Sequence, residues 1–390
     1  MISVDAALTQ VLALARPLPQ ETVPLADAAG RVLSEPVIAR RDQPPFAASS
    51  MDGYAIKAAE AERHAQFKVI GEAAAGRRFP APVGPGQAVR IFTGAPMPEG
   101  ADFVVIQEDV TRNGDLITIT DEPGAKPNIR PAGVDFTTGT TIDAPRRLSA
   151  QDVALLASMN VPLVPVTRKP DVALISTGDE LVLPGQDPGP DQIIASNTFG
   201  LKAMLEAMGA QPRVLPIARD TAASLHMAFD LAQGADLVLT IGGASVGDHD
   251  LVGRVATELG MERSFYKVAM RPGKPLMAGR LGDMAMIGLP GNPVSAMVCG
   301  HVFVAPVIHK MLGLGEARPA LHSARLAEPL GPNGPRMHYM RAVVENAEVT
   351  AFDSQDSSLL TVLSRANALL IRAPHDPAQA TGTIVHYMPI

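Results

Sequence analysis

Cysteine is nearly absent: the 390 residues hold a single one, Cys299. That excludes an internal disulfide framework and any multi-cysteine zinc site. Its place in the apolar run "SAMVCGHVFVAPVI" predicts an inert core thiol rather than a nucleophile, and the cytosol is the expected compartment. The N-terminus "MISVDAALTQVLALARPLP" shows no basic leader and no small-residue cleavage site. Long apolar runs are missing too. The longest, Val294 to Ile308, falls short of the roughly 20 residues that span a bilayer, contains His301 and Pro306, and reads as a buried helix. The net charge of -7 argues against a protein that coats nucleic acid or acidic membranes. There is no Gly-x-Ser-x-Gly elbow, no Gly-Lys-Ser/Thr phosphate loop and no His-Glu-x-x-His, which sets aside hydrolase triads, P-loop NTPases and zinc peptidases.

What is present describes a folded chain, with 46% hydrophobic and 19% charged residues and length for roughly two to four domains. Val4, Ala7, Leu8, Val11 and Leu12 repeat at helical spacing. Ser149 with Asp152 resembles a capping box before "AQDVALLASMN". These two helices predict a helical, connecting domain built from 1–40 and 143–170. Between them, 41–142 is β-like, with Asn113-Gly114 as a hairpin signal between apolar runs. From 171 to 315, continuous apolar strands alternate with amphipathic helices, which predicts a doubly wound, mostly parallel α/β domain. In the helix "TFGLKAMLEAMG", Leu201, Met204, Leu205 and Met208 share one face. The Gly- and Pro-rich stretch "GLGEARPALHSARLAEPLGPNGPR" reads as a linker, and 316–390 as a small C-terminal β domain, barrel or sandwich.

In an open α/β sheet, ligands bind beyond the carboxyl ends of the strands. Three turns occupy that position. "LISTGDELV" carries Thr177, Gly178, Asp179 and Glu180; "DLVLTIGGASVGDHD" carries Gly242, Gly243, Ser245, Gly247, Asp248 and Asp250; "IGLPGNPVSA" sets Gly291 and Asn292 before Pro293. Glycine amides after a strand suit a phosphate. The acids Glu180, Asp248, Asp250 and Asp220 would repel one, and a hard cation such as Mg2+ resolves the conflict by taking oxygen ligands from both. Asp220 reads equally as a helix cap beside Thr221, Asp179 as a turn former and His249 as a turn residue. "RPGKP" adds Arg271 and Lys274 on a stiff loop, suited to a dianion or to a solvated surface.

The motifs "SSMDGYAI", "IFTGAPMPEGAD", "STGDEL", "GGASVGDHD", "RPGKP" and "GLPGNPVSA", in this order, resemble the molybdopterin molybdenumtransferases, and the resemblance spans nearly the whole chain. It implies an elongated, multi-domain α/β plus β chain whose C-terminal domain is a barrel. It also implies a homodimer with shared active sites, which inserts molybdate into adenylylated molybdopterin with Mg2+-dependent cleavage of the pyrophosphate bond. The partner subunit would supply Asp52, Thr93 and Asp135 to the cleft. Glu180, Asp220 and Asp250 would serve metal and substrate positioning; Asn197, Ser245 and Asn292 would touch the pterin or nucleotide. Arg271, Lys274, Pro275, Arg341 and Ser357 would hold molybdate, with Ser358 as the alternative to Ser357. Asp356, beside that serine, either weakens the oxyanion site or points to solvent. Transient contacts with the adenylyltransferase and with molybdoenzyme maturation factors belong to the same expectation. Two other readings stand beside it: the preceding adenylyl transfer, and a non-catalytic pterin-binding scaffold.

Overall fold

The computed structural model describes residues 1–243, 251–316 and 318–390. Its centre is a six-stranded sheet. Gln211–Val214, Asp171–Ser176, Leu237–Ile241 and Met284–Leu289 run parallel in that order, and Met277–Leu281 and Glu262–Tyr266 continue the sheet antiparallel. Alternate residues of one strand feed opposite cores: Val172 and Leu174 join one cluster, Ala173 and Ile175 the other. Helix Asn197–Ala207 and the helix that starts at Pro293 cover the first face, while Ala222–Ala232 and Leu251–Glu258 cover the second. This is the doubly wound layer that the alternating pattern predicts.

The long apolar helix runs Pro293–Met311, 19 residues, enough by length and composition to cross a membrane, yet 72% of it is buried inside the fold. Pro306 has no N–H to offer and its ring crowds the carbonyl one turn back. The helix widens into a π turn at Gly300–Val304, where the Ala305 N–H reaches back to the Gly300 carbonyl. Cys299 lies fully buried within it, and burial pushes its thiol well above the usual range.

The first and last domains depart from expectation. Residues 1–40 and 143–170 do not form a helical layer. Gln20–Pro24, Leu163–Thr167, Val32–Leu33 and Arg146–Arg147 make a four-stranded antiparallel sheet in that order. Strands of two to five residues are too short to show an alternation. Helix Ala150–Ser158, closed by the Ser149–Asp152 capping box, packs on this sheet. Helix Val4–Leu14 does not join it; its apolar stripe is buried in the central core. The β-rich region holds a six-stranded mixed sheet, in which Gln66–Ala73 runs parallel to Gln87–Ile91. Its Val110–Asn113/Leu116–Ile119 hairpin turns through Gly114 at φ +63.

At the C-terminus, Met337–Glu345, Glu348–Ala351, His322–Leu326, Ile384–Pro389 and Ala368–Arg372 close into a five-stranded barrel, because the last strand also pairs with the first. His322–Leu326 corrects the linker reading. Ala324 and Leu326 point into the barrel core while their neighbours face out, and flanking Gly and Pro hide that alternation. Replacing Ser149 by Ala removes one half of the capping box; we expect a loss of about 1 kcal/mol in urea unfolding, with Asp152→Ala at least as damaging because it also ends the ion pair with Arg146.

Candidate functional site

The parallel strands end in one cleft of about 920 Å³. Strand order fixes what lies where along it. Asp220 follows the outermost parallel strand, Thr177, Gly178 and Glu180 the next, Gly242 and Gly243 the third, and Gly291 and Asn292 the fourth. Pro275, ahead of the next strand, and Ser358, from the C-terminal domain, close the far end.

The turns touch through their backbones. A Cβ on Gly242 would sit 2.9 Å from the Thr177 carbonyl oxygen, and one on Gly291 would sit 3.5 Å from the Gly242 Cα. Both Gly242 and Gly243 take positive φ, +88 and +63. The Gly242 N–H donates to the Leu289 carbonyl at 3.1 Å and the Gly178 N–H to the Ala218 carbonyl at 3.1 Å, so each turn is tied to the next strand. Gly178 leaves room for Glu180, whose carboxylate folds to where a Cβ would stand.

Asp179 is the turn former. Its Oδ1 accepts the Asp220 N–H at 3.3 Å, and its carbonyl accepts from Arg219 at 3.0 Å. Thr221, not Asp220, caps the following helix by accepting from Ser224 N–H. That leaves the Asp220 carboxylate on the cleft with Glu180. Two carboxylates suit a hard cation that takes its remaining ligands from phosphate and water. The third proposed metal ligand, Asp250, lies outside the described residues, as do Ser245, Gly247, Asp248 and His249.

The asparagines serve the scaffold as well as the cleft. Asn197 Nδ2 donates to the Gly291 carbonyl at 2.7 Å, and Asn292 Nδ2 donates to Ser357 Oγ at 3.0 Å. Ser357 therefore anchors the C-terminal domain, while Ser358 lines the cleft. Asp356 does not face an oxyanion site: its Oδ1 accepts from the Ser358 N–H at 2.8 Å and hydroxyl at 2.6 Å, and these bonds hold its exposed carboxyl below the usual range.

Arg341 is fully buried. Its Nη2 donates to the Asp356 carbonyl at 2.9 Å, but among the described residues Nε and Nη1 have no partner and no carboxylate makes an ion pair with it. Burial, then the neighbouring Arg271, push the guanidinium below its ordinary value. Arg271 and Lys274 are exposed. Gln355, which no sequence signal marks, holds this loop beside the strand: its Oε1 accepts the Arg341 N–H at 2.9 Å and its Nε2 donates to the Arg341 carbonyl at 3.0 Å. His338, equally unmarked, is buried near the same cations; burial first, then Arg271, Arg341, Arg372 and Arg336, push its imidazole down to about 4.

Asp52, Thr93 and Asp135 do not line this cleft. Asp52 and Thr93 do meet each other. The Asp52 carboxylate accepts the Thr93 N–H at 2.8 Å and hydroxyl at 2.7 Å, which hold it below the usual range. Asp135 is exposed on its own loop, its N–H donating to the Gln43 carbonyl at 3.0 Å.

Fold and cleft together define a multi-domain protein whose candidate site is the carboxyl edge of a doubly wound sheet, walled at one end by a β-barrel. Comparison with known proteins narrows the class. Residues 2–160 match the MoeA N-terminal region (domain I and II), 173–310 a probable molybdopterin binding domain, and 323–390 the MoeA C-terminal region (domain IV). The chain is 36% identical to a molybdopterin molybdenumtransferase of Nostoc sp. over 90% of its own length and 84% of that protein. It is 37% identical to one of Haemophilus influenzae over 84% of its length and 82% of that protein. A crystal structure of the molybdopterin biosynthesis MoeA protein from Pyrococcus horikoshii superposes with a TM-score of 0.84 at 29% identity, covering 100% of this chain and 99% of that one. The chain belongs to the molybdopterin molybdenumtransferase family.

Two outcomes follow from this geometry. Gly243→Ala places a Cβ 2.4 Å from Val252 at positive φ, and we expect a loss of about 1–3 kcal/mol in urea unfolding. Gly185→Ala, also at positive φ but in open space, should cost distinctly less. For His338, the unfolded chain takes up a proton near the ordinary value of 6.5 while the folded one resists until about 4. Stability should therefore be full above pH about 6.5 and fall steadily as pH drops from there to about 4. His338→Gln should flatten that part of a melting-temperature profile.

Proposed function

We propose that this chain inserts molybdate into adenylylated molybdopterin, cutting the pyrophosphate bond and releasing molybdenum cofactor and AMP. The observation that carries this reading is Arg341. A buried guanidinium whose Nε and Nη1 have no partner among the described residues, and which makes no ion pair there, is costly unless an anion completes it; it stands next to Arg271 and Asp356, behind the cleft end formed by Pro275 and Ser358. Molybdate is a tetrahedral dianion, which suits Arg271, Lys274 and Arg341 with the serine hydroxyls. Ser357 Oγ accepts from Asn292, so its own O–H is free to donate to such an ion.

The rest of the cleft suits the other substrate. The Gly242 N–H is held by the Leu289 carbonyl, so the turn would receive the pyrophosphate from the Gly243 amide onward. Glu180 and Asp220, with Asp250, would hold Mg2+ at the opposite end from Arg341. When bound, the ion supplies charge neutralisation at the pyrophosphate and the leaving AMP. We assign Asp52, Thr93 and Asp135 to the cleft of a second copy, in a homodimer whose sites are shared between subunits. The protein works in the cytosol in this reading, and it meets the adenylyltransferase and molybdoenzyme maturation factors in transient contacts.

The test mixes purified protein with adenylylated molybdopterin, Mg2+ and molybdate and follows AMP. Release should require molybdate; consumption of ATP and free molybdopterin instead would make the chain an adenylyltransferase, and binding without turnover a scaffold. Arg341→Met should raise the half-saturating molybdate concentration about 100-fold, the loss of one or two charge-assisted hydrogen bonds, with a melting temperature close to that of the unchanged protein. Unaltered molybdate dependence would remove Arg341 from the oxyanion site.

A further inference from the structure

One wall of the cleft has apolar side chains that the fold does not bury. Ile193 is 58% exposed and Ile194 38%, and with Leu181 both line the cleft beside Glu180. The backbone presents them deliberately. Leu181–Val182 and Ile193–Ile194 form a two-residue parallel ladder, the Ile193 N–H donates to the Glu180 carbonyl at 2.8 Å, and the Ala195 N–H to the Val182 carbonyl at 2.9 Å. The intervening loop is braced by its own glutamines: Gln186 accepts the Leu183 N–H and Gln192 the Gly189 N–H. An exposed isoleucine on a braced ledge inside a ligand cleft is a surface waiting for an apolar face.

Strand order says which part of the ligand that face belongs to. Pro275 and Ser358 stand at one end of the sheet edge, with Arg341 behind them on the Asp356 carbonyl, Gly242 and Gly243 are in the middle, and Glu180 with the ledge is at the other end. If the oxyanion is held at the first end, the dithiolene that receives it must lie there, and the pterin that bears the dithiolene lies on the same side of the pyrophosphate. The group beyond the pyrophosphate then reaches the ledge. We infer that Leu181, Ile193 and Ile194 form the seat for the adenine ring of the adenylylated substrate and of the AMP product. The inference rests on the reading given under Proposed function and adds the orientation of the substrate along the sheet edge. It also makes Ile193 a specificity residue: an aliphatic ledge gives affinity to a flat heteroaromatic ring and nothing to a bare ribose phosphate.

The experiment measures binding of AMP and of ribose 5-phosphate to the full chain with Mg2+, for the unchanged protein, Ile193→Ser and Ile193→Phe. The unchanged protein should prefer AMP by about tenfold or more, the scale of burying one side of an aliphatic side chain. Ile193→Ser should bring the two ligands together by weakening AMP alone, while Ile193→Phe should keep the preference. An AMP preference that survives Ile193→Ser overturns the ledge and leaves the molybdate-insertion reading standing. Failure of the unchanged protein to bind either ligand overturns the nucleotide assignment of the cleft, and the ledge with it. Because Ile193 is largely exposed, circular dichroism of Ile193→Ser should match the unchanged protein.

Discussion

The site depends on how closely four strand ends approach one another. Gly242 can lie against the Thr177 carbonyl, and Gly243 against Thr177 and Val252, only because neither contact has to accommodate a side chain on the glycine. Main-chain hydrogen bonds continue past the strand ends, from Thr177 N–H to Ile241 at 3.0 Å, Gly178 N–H to Ala218 and Gly242 N–H to Leu289. The floor of the cleft is therefore an extension of the sheet, placed by the same register that places Val172, Leu237 and Ala285 beneath it. A floor of this kind holds the turns beyond it in fixed positions, so a ligand bound there would give up little of its binding energy to ordering them.

Two arginines of the barrel make the electrostatic point by contrast. Arg372, 3% exposed, is saturated: it pairs with Asp376 and donates to the Gly331 and Pro377 carbonyls. Arg341 is on the neighbouring strand, just as deeply buried, and makes no ion pair among the described residues. The same barrel thus provides a fully satisfied cation where only structure is at stake and a starved one beside the cleft. An unsatisfied buried guanidinium lowers stability, and its retention is understandable where binding an anion returns what folding gives up.

The sequence revealed what repeats or what is rare. The central strands are continuous apolar runs and their turns cluster glycines and acids, so the doubly wound layer and its edge could be read from residues 171 to 315 alone. The capping box at Ser149 was equally visible because its partner is three residues away. What escaped reading depends on long-range pairing. Val23 meets Val164 and Ile38 meets Thr141 across more than a hundred residues, in strands too short to carry a pattern. Gln355 and His338 carry no local signal, since their roles come from the register of Met337–Glu345 against its neighbours. The same holds for the different surroundings of Ser357 and Ser358, since Asn292 reaches Ser357 from another domain while Ser358 lines the cleft.

That reach shows how the ends of the cleft are joined to its floor. The barrel loop is tied to the central helix by Ser357, whose hydroxyl accepts from Asn292 and whose carbonyl accepts the Val294 N–H at 3.1 Å. The ledge is tied to the acid turn by the Ile193 N–H on Glu180 and the Ala195 N–H on Val182. Each of these ties to the floor is a pair of hydrogen bonds, while the floor itself is locked into the sheet. A ligand long enough to touch both ends adds contacts where the fold supplies few, and one that touches only the floor does not. On the proposed reading, a small phosphate would reach only the Gly243 turn, whereas a molecule with a pyrophosphate at its middle would also reach the Arg341 side and the Glu180 side. On that reading the spacing of the strands, about 4.8 Å per step across the sheet, sets how far apart the groups that meet the ligand stand.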